Sequence, residues 1–190
     1  SRTSSSRMIF VDSYINFSGL LKKDLKFADF SRMVAAVGGR ENAFTARDFT
    51  GYFQQIEKSK LADVMRLEAD RMANLNFSDE EFNKEIQVVM EERRLRTEDN
   101  PTSLMQELMM ATAFISSPYR HPIIGWMDDL QNMKANDARQ WYRDWYAPNN
   151  AIVVVVGDVK AVEVKALVEK FYGPIQAKQL PERKPQIEPE

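Results

Sequence analysis

The stretch Phe77-Ser-Asp-Glu-Glu-Phe-Asn-Lys-Glu-Ile-Gln-Val-Val-Met-Glu-Glu-Arg-Arg-Leu-Arg96 constrains the chain most, because it reads as a long helix with a sharp start. Ser78 is suited to the N-cap, and Glu81 three residues on completes a Ser-x-x-Glu capping box. Asp79, Glu80 and Glu81 put negative charge at the positive end of the helix dipole, and Arg93, Arg94 and Arg96 lie toward the other end. Glu85 and Glu92 are seven residues apart, nearly two whole turns at about 100° per residue, so both point the same way. Val88 and Val89 lie between them and are read as sharing that face. Pro101 marks the end of this helix or a kink beyond it. Most glutamates on amphipathic helices are simply solvated, so the pair gains meaning only from the rest of the chain.

A chain of 190 residues suits one domain with a tail and can bury roughly 70% of its unfolded surface. Its net charge of −2 supplies no basic field for nucleic acid or an anionic membrane. It contains no cysteine, which excludes disulfides and thiolate metal ligands. No apolar run approaches the ~20 residues that a membrane helix needs. The opening Ser-Arg-Thr-Ser-Ser-Ser-Arg lacks the apolar core of a secretion signal, so the expectation is a cytoplasmic protein or a chain that begins after such a signal.

Along the chain, Met8–Val11 and Tyr14–Phe17 read as short strands in a segment unlike the rest of the sequence. Asp29 can cap a helix carrying Phe30, Met33, Val34 and Val37, stopped by Gly38-Gly39. Arg40–Thr45 and Phe49–Ile56 read as two strands joined at Arg47-Asp48. Lys60–Leu75 is a clean amphipathic helix, and Ser103–Phe114 another, whose Met105, Met109 and Met110 are expected to fill the core. Ser117–Gly125 reads as a loop. Residues 136–146 form a helix ended by Pro148. Ala151-Ile-Val-Val-Val-Val-Gly157 is the strongest strand signal, of the kind buried on both faces. A helix from Ala161 to Tyr172 stops at Gly173, and the Pro-rich, charged end from Gln179 reads as a linker or tail. Strands grouped early and late around several helices indicate an α+β fold.

Chemistry is sparse. His121 is the one histidine, and a histidine-based metal site or triad needs more partners than that. Gly38-Gly39 lacks the Lys-Ser/Thr and the preceding strand of a phosphate loop. Asp137, Arg139, Trp141, Arg143 and Trp145 mix charge with aromatics, without the positive excess that stacking onto nucleic acid requires.

Five stretches together nevertheless resemble a known family. They are Val34-Ala-Ala-Val-Gly-Gly-Arg-Glu-Asn-Ala-Phe-Thr45, Leu67-Glu-Ala-Asp-Arg-Met72, Val88-Val-Met-Glu-Glu-Arg-Arg94, Pro118-Tyr-Arg-His-Pro-Ile-Ile-Gly-Trp126 and Trp145-Tyr-Ala-Pro-Asn-Asn-Ala-Ile-Val-Val-Val-Val-Gly-Asp158. In order and spacing they resemble the amino-terminal module of the pitrilysin/insulinase/mitochondrial processing peptidase family of zinc metallopeptidases. The resemblance implies a mixed β-sheet with helices packed on one face. It divides the chain into an atypical leader at 1–24, a module at 25–174 and a tail at 175–190. It further implies two such modules, on one chain or two subunits, enclosing a chamber for peptides.

In that family an inverted His-x-x-Glu-His motif supplies two zinc ligands and the base that activates water, and a distant glutamate supplies the third ligand. By resemblance Glu92 is that third ligand and Glu85 its supporting carboxylate. Asn42, Ala43, Phe44 and Thr45 match the edge strand that aligns extended substrate. Asn42 can equally do no more than hold the turn after Gly39. The motif itself should fall near Asp12–Asn16, which reads Asp-Ser-Tyr-Ile-Asn. The chain is therefore expected to be a fragment or disrupted member of a zinc metalloendopeptidase family, inactive as it stands, with no catalytic base and no zinc bound. The alternative is a non-catalytic partner subunit of a two-subunit processing peptidase; an unrelated structural domain is disfavoured by the number of ordered motifs. Peptide substrate and a second homologous module or subunit are the implied partners. An uncovered sheet edge adds the expectation of self-association through that edge, either with a neighbour or with residues 8–17. Bacterial relatives of this kind are often periplasmic.

Overall fold

In the computed structural model, residues 33–36, 38–183 and 186–189 are described. The short strands expected at 8–17 and the start of the first helix lie outside the described residues. Residues 33–36 are helical. The chain then turns at Gly38, whose φ of 72° belongs to the left-handed region, as the expected helix stop requires.

A hairpin comes next. Strands β1 (Arg40–Thr45) and β2 (Thr50–Gln55) pair antiparallel, with Asn42 opposite Phe53 and Phe44 opposite Gly51. Helices α1 (Leu61–Asn74), α2 (Asp79–Arg93) and α3 (Pro101–Ala113) succeed it, then α4 (Met127–Asn132), α5 (Ala135–Trp145) and α6 (Ala161–Phe171). The α+β class stands. Among the described residues, however, the sheet is two antiparallel strands rather than a mixed sheet. Pro101 lies beyond the end of α2 at Arg93 and is the first residue of α3, where its missing N–H costs nothing.

The core is built on α2. Phe82, Ile86, Val89 and Met90 recur at helical spacing and pack with Leu130 of α4 and with Ala135, Ala138 and Tyr142 of α5. Phe77 stacks on Phe82 at a centroid distance of 6.3 Å, closing the start of the helix. Tyr142 joins this core to α1: its hydroxyl accepts from the Leu75 N–H at 3.0 Å and donates to the Met72 carbonyl at 2.6 Å.

Burial pushes the Tyr142 phenol from its ordinary 10 up to about 12, and burial does the same at Tyr172. An unfolded chain ionises these groups near 10, whereas the folded chain must reach about 12. Their contribution is therefore complete below pH 10 and is lost as pH rises from 10 to 12. Denaturant unfolding across the alkaline range should show this fall. Tyr142→Phe should blunt it, while costing about 1–3 kcal/mol at neutral pH because the Leu75 N–H loses its partner.

Two expectations fail here. Met105 and Met109 do not fill the core; they are 61% and 57% exposed, and the buried residue of α3 is Glu107. An ion pair from Glu107 to Arg93 of α2 holds this helix, so its apolar side is left open. Likewise Ala151–Val156 is not a buried strand. Ile152, Val154 and Val156 are 90%, 76% and 91% exposed, and no described strand pairs with them. A continuous apolar run encodes a preference for burial on both faces, but burial needs neighbours, and those are set by tertiary placement.

Candidate functional site

The candidate site is the outer face of α2. The helix begins as the sequence indicates. The Ser78 Oγ accepts from the Glu81 N–H at 3.2 Å, and the Glu81 carboxylate accepts from the Ser78 N–H at 2.7 Å. This exchange holds the Glu81 carboxyl below its usual range. From this fixed start, Glu85 and Glu92 both emerge half-buried on one side. Val88 lies between them and is 58% exposed. At about 100° per residue Val88 and Val89 flank the Glu85–Glu92 line by about 50° on either side, and since Val89 is buried the two glutamates stand on the boundary between core and solvent.

Glu92 is engaged by its own helix: its Oε1 accepts from Arg96 Nη1 at 2.8 Å. Arg96 reaches it from a π-turn over Arg94–Glu98, where the Asp99 N–H bonds back to the Arg94 carbonyl at 2.8 Å. Arg96 also lines an open cleft of about 410 Å³ with Arg47, Glu107, Met110, His121 and Ile124.

Sequence reasoning missed Arg93, the residue that fixes where Glu92 sits. Arg93 is buried and forms a two-pronged ion pair with Glu107 of α3, at 2.9 and 2.8 Å. It also donates to the Gly125 carbonyl at 2.7 Å and lies 5.9 Å from the Trp126 ring centre. Gly125 can present that carbonyl because it adopts φ 90°, open to glycine and strained for other residues. Two of the family-like stretches, those ending at Arg94 and Trp126, are thus joined through one guanidinium. The signal was present in the helical period: Phe82, Ile86, Val89 and Met90 define a buried stripe, and Arg93 continues it.

The other site candidates lie on β1. Asn42, Ala43, Phe44 and Thr45 occupy the strand whose second edge, among the described residues, carries no partner strand. The Asn42 Oδ1 accepts from the Ala43 N–H at 2.8 Å, and Phe44 is half exposed against Phe49 and Phe53. The hairpin meets the helices through Tyr52, whose hydroxyl lies 2.5 Å from that of Tyr146, and whose ring carries Arg71 at 3.6 Å.

These residues do not fit a catalytic zinc ion. Among the described residues, no group of three histidine, cysteine, aspartate or glutamate side chains converges on one point. His121 is turned to structure: its Nδ1 accepts from the Trp126 indole at 3.1 Å, and burial lowers its pKa. The positions where the resemblance puts the inverted motif, Asp12–Asn16, lie outside the described residues.

Comparison with known proteins adds two family matches. Residues 15–126 match the model described as insulinase (peptidase family M16), and residues 132–190 match the peptidase M16 inactive domain. A curated relative, zinc protease PqqE of Helicobacter pylori, is 38% identical over 84% of this chain and 35% of its own length. The crystal structure of a protease from Helicobacter pylori superposes with a TM-score of 0.86 at 34% identity, covering 95% of this chain and 45% of that one. The first half of the periplasmic protease PqqL from Escherichia coli superposes at 0.83, with 22% identity over 99% of this chain and 42% of that one. The chain thus spans about a third of the length of the curated relatives it matches.

Proposed function

The chain belongs to the insulinase family of peptidases (family M16), and we propose that it is a module of a zinc metalloendopeptidase whose metal site is incomplete within these 190 residues. One observation carries this reading. Glu92, the third ligand by resemblance, is paired with Arg96, while the chain's single histidine accepts a hydrogen bond from Trp126. One carboxylate cannot hold zinc in the three-ligand, open-position geometry that catalysis needs. Without a base beside it, no water is activated. Glu85 is the supporting carboxylate of the same face. Asn42–Thr45, on the open edge of β1, is the strand on which an extended peptide would align by backbone pairing.

The expected result is zinc well below one ion per chain after metal analysis of the purified protein, and no chelator-sensitive cleavage of an unfolded polypeptide. Stoichiometric zinc that Glu92→Gln abolishes would sink the proposal. A second homologous module or subunit is the natural partner, because relatives extend far beyond the matched segment. The runner-up reading is a non-catalytic partner subunit, favoured by the match of residues 132–190 to the inactive-domain model. Keeping both Glu85 and Glu92 on one helix face counts against it, since a partner that binds no metal has no use for them.

A further inference from the structure

We propose that the backbone of Ile115–Ser117 is a carboxylate-binding site whose occupant is Glu188 of the chain's own tail, and that this clasp steadies the β1–β2 turn.

The site is made of backbone. Helix α3 makes its last hydrogen bond at Phe114, whose N–H reaches the Met110 carbonyl at 3.2 Å, so the three amides that follow lie outside the helix. All three converge on one carboxylate. The Ile115 N–H donates to Glu188 Oε2 at 2.9 Å, the Ser116 N–H donates to Oε1 at 2.9 Å, and the Ser117 N–H donates to Oε1 as well. A lining of donors alone suits a group that only accepts, and successive N–H groups aimed at one point form an anion-binding concavity. Arg120 adds positive charge beside the site, and its Nη1 holds the Ile115 carbonyl at 2.9 Å. The Ser117 N–H foremost, with those of Ile115 and Ser116, holds the Glu188 carboxyl below its usual range.

Two earlier anchors bring the tail to this site. The Lys178 backbone and the Asn149 side chain exchange hydrogen bonds at 3.0 and 2.9 Å, and Lys178 Nζ donates to the Tyr146 carbonyl at 2.7 Å. Arg183 then lies 5.1 Å from the ring centre of Trp145. From there the five residues to Glu188 reach at most about 18 Å when extended. Proline at positions 181 and 189 fixes φ on either side, so less chain entropy is lost when Glu188 seats.

The clasped loop grips the hairpin. Tyr119 donates its hydroxyl to the Asp48 carboxylate at 2.8 Å, and Arg47 Nη1 donates to the Tyr119 carbonyl at 2.7 Å. The Arg47 guanidinium also lies 5.6 Å from the Tyr119 ring centre. Arg47 and Asp48 sit in the turn between β1 and β2, which the Ala46 N–H closes onto the Phe49 carbonyl at 2.8 Å. Fixing Ile115–Ser117 thus fixes the support of this turn. Glu188 acts on the hairpin only through the loop, as a positioning residue. Any benefit to peptide alignment rests on the reading of β1 as the aligning strand, whereas the clasp itself needs neither metal nor peptide.

Amide hydrogen exchange on the whole chain, read by NMR, tests the site and its link to the hairpin. Glu188→Ala should speed exchange at Ile115, Ser116 and Ser117 by roughly tenfold and at Ala46 by about threefold. The amide of Val89 and the thermal melt should not change. Glu188→Gln keeps one acceptor oxygen and should fall between wild type and Glu188→Ala. Tyr119→Phe should speed Ala46 and leave Ile115–Ser117 slow, because it breaks the link beyond the clasp. Glu182→Ala, in the same tail, should change nothing. Unchanged exchange at Ile115–Ser117 in Glu188→Ala would overturn the proposal, as would faster exchange there with Ala46 unmoved. Equal effects from Glu182→Ala, or acceleration shared by Val89, would overturn it too, since either would mean a general loss of stability. Exchange is read without zinc, so failure here and failure of the metal reading remain separable.

Discussion

Glu107→Ala is expected to destabilise the protein by about 3–5 kcal/mol, enough to consume a large part of a typical domain's margin. The loss comes less from the broken attraction than from what is left behind. Arg93 is 4% exposed, cannot shed its charge, and without Glu107 keeps the Gly125 carbonyl, a 3.4 Å approach to Glu98 and the Trp126 ring. α3 would also lose the ion pair made by its one buried residue, Glu107. The double replacement Arg93→Met with Glu107→Met removes both charges at similar volume and should recover most of the loss. Urea denaturation of the three proteins checks the sign and the non-additivity. Equal losses in the single and double variants would show that the pair's own hydrogen bonds, and not the charge left unpaired, carry the stability.

Phe82→Ala is the second large effect, expected at about 3–5 kcal/mol. Phe82 is 1% exposed, lies one turn into α2 and stacks on Phe77, so its removal opens a void beneath the capping box. Because the helix that carries Glu85 and Glu92 is positioned by this residue, the damage should reach the site face as well as the melt. Phe82→Leu, which keeps most of the volume, should cost distinctly less. A denaturant midpoint for each variant measures the difference.

The candidate site was partly legible. The seven-residue spacing of Glu85 and Glu92 was enough to put them on one face, since helix periodicity is a local property. That Val89 turns into the core and Val88 into solvent was not legible, because the pattern alone does not show where the core lies. Arg93 was missed because arginine reads as surface, although its place on the Phe82–Met90 stripe marked it as inward. Arg96 as the partner of Glu92 depends on the π-turn after Arg93, a backbone widening that no residue type in Arg94–Glu98 announces.

The sequence by itself determined the capped start of α2, the hairpin with its turn at Arg47-Asp48, the span of α1 and the family to which the chain belongs. These rest on interactions between residues a few positions apart, or on motif order, and both can be read along a line. The tertiary structure alone decided the fate of the two strongest apolar signals: the Met105 and Met109 side of α3 is open, and Ile152–Val156 stands unpaired among the described residues. Hydrophobicity states what a segment would gain by being covered. Whether anything covers it depends on partners distant in sequence.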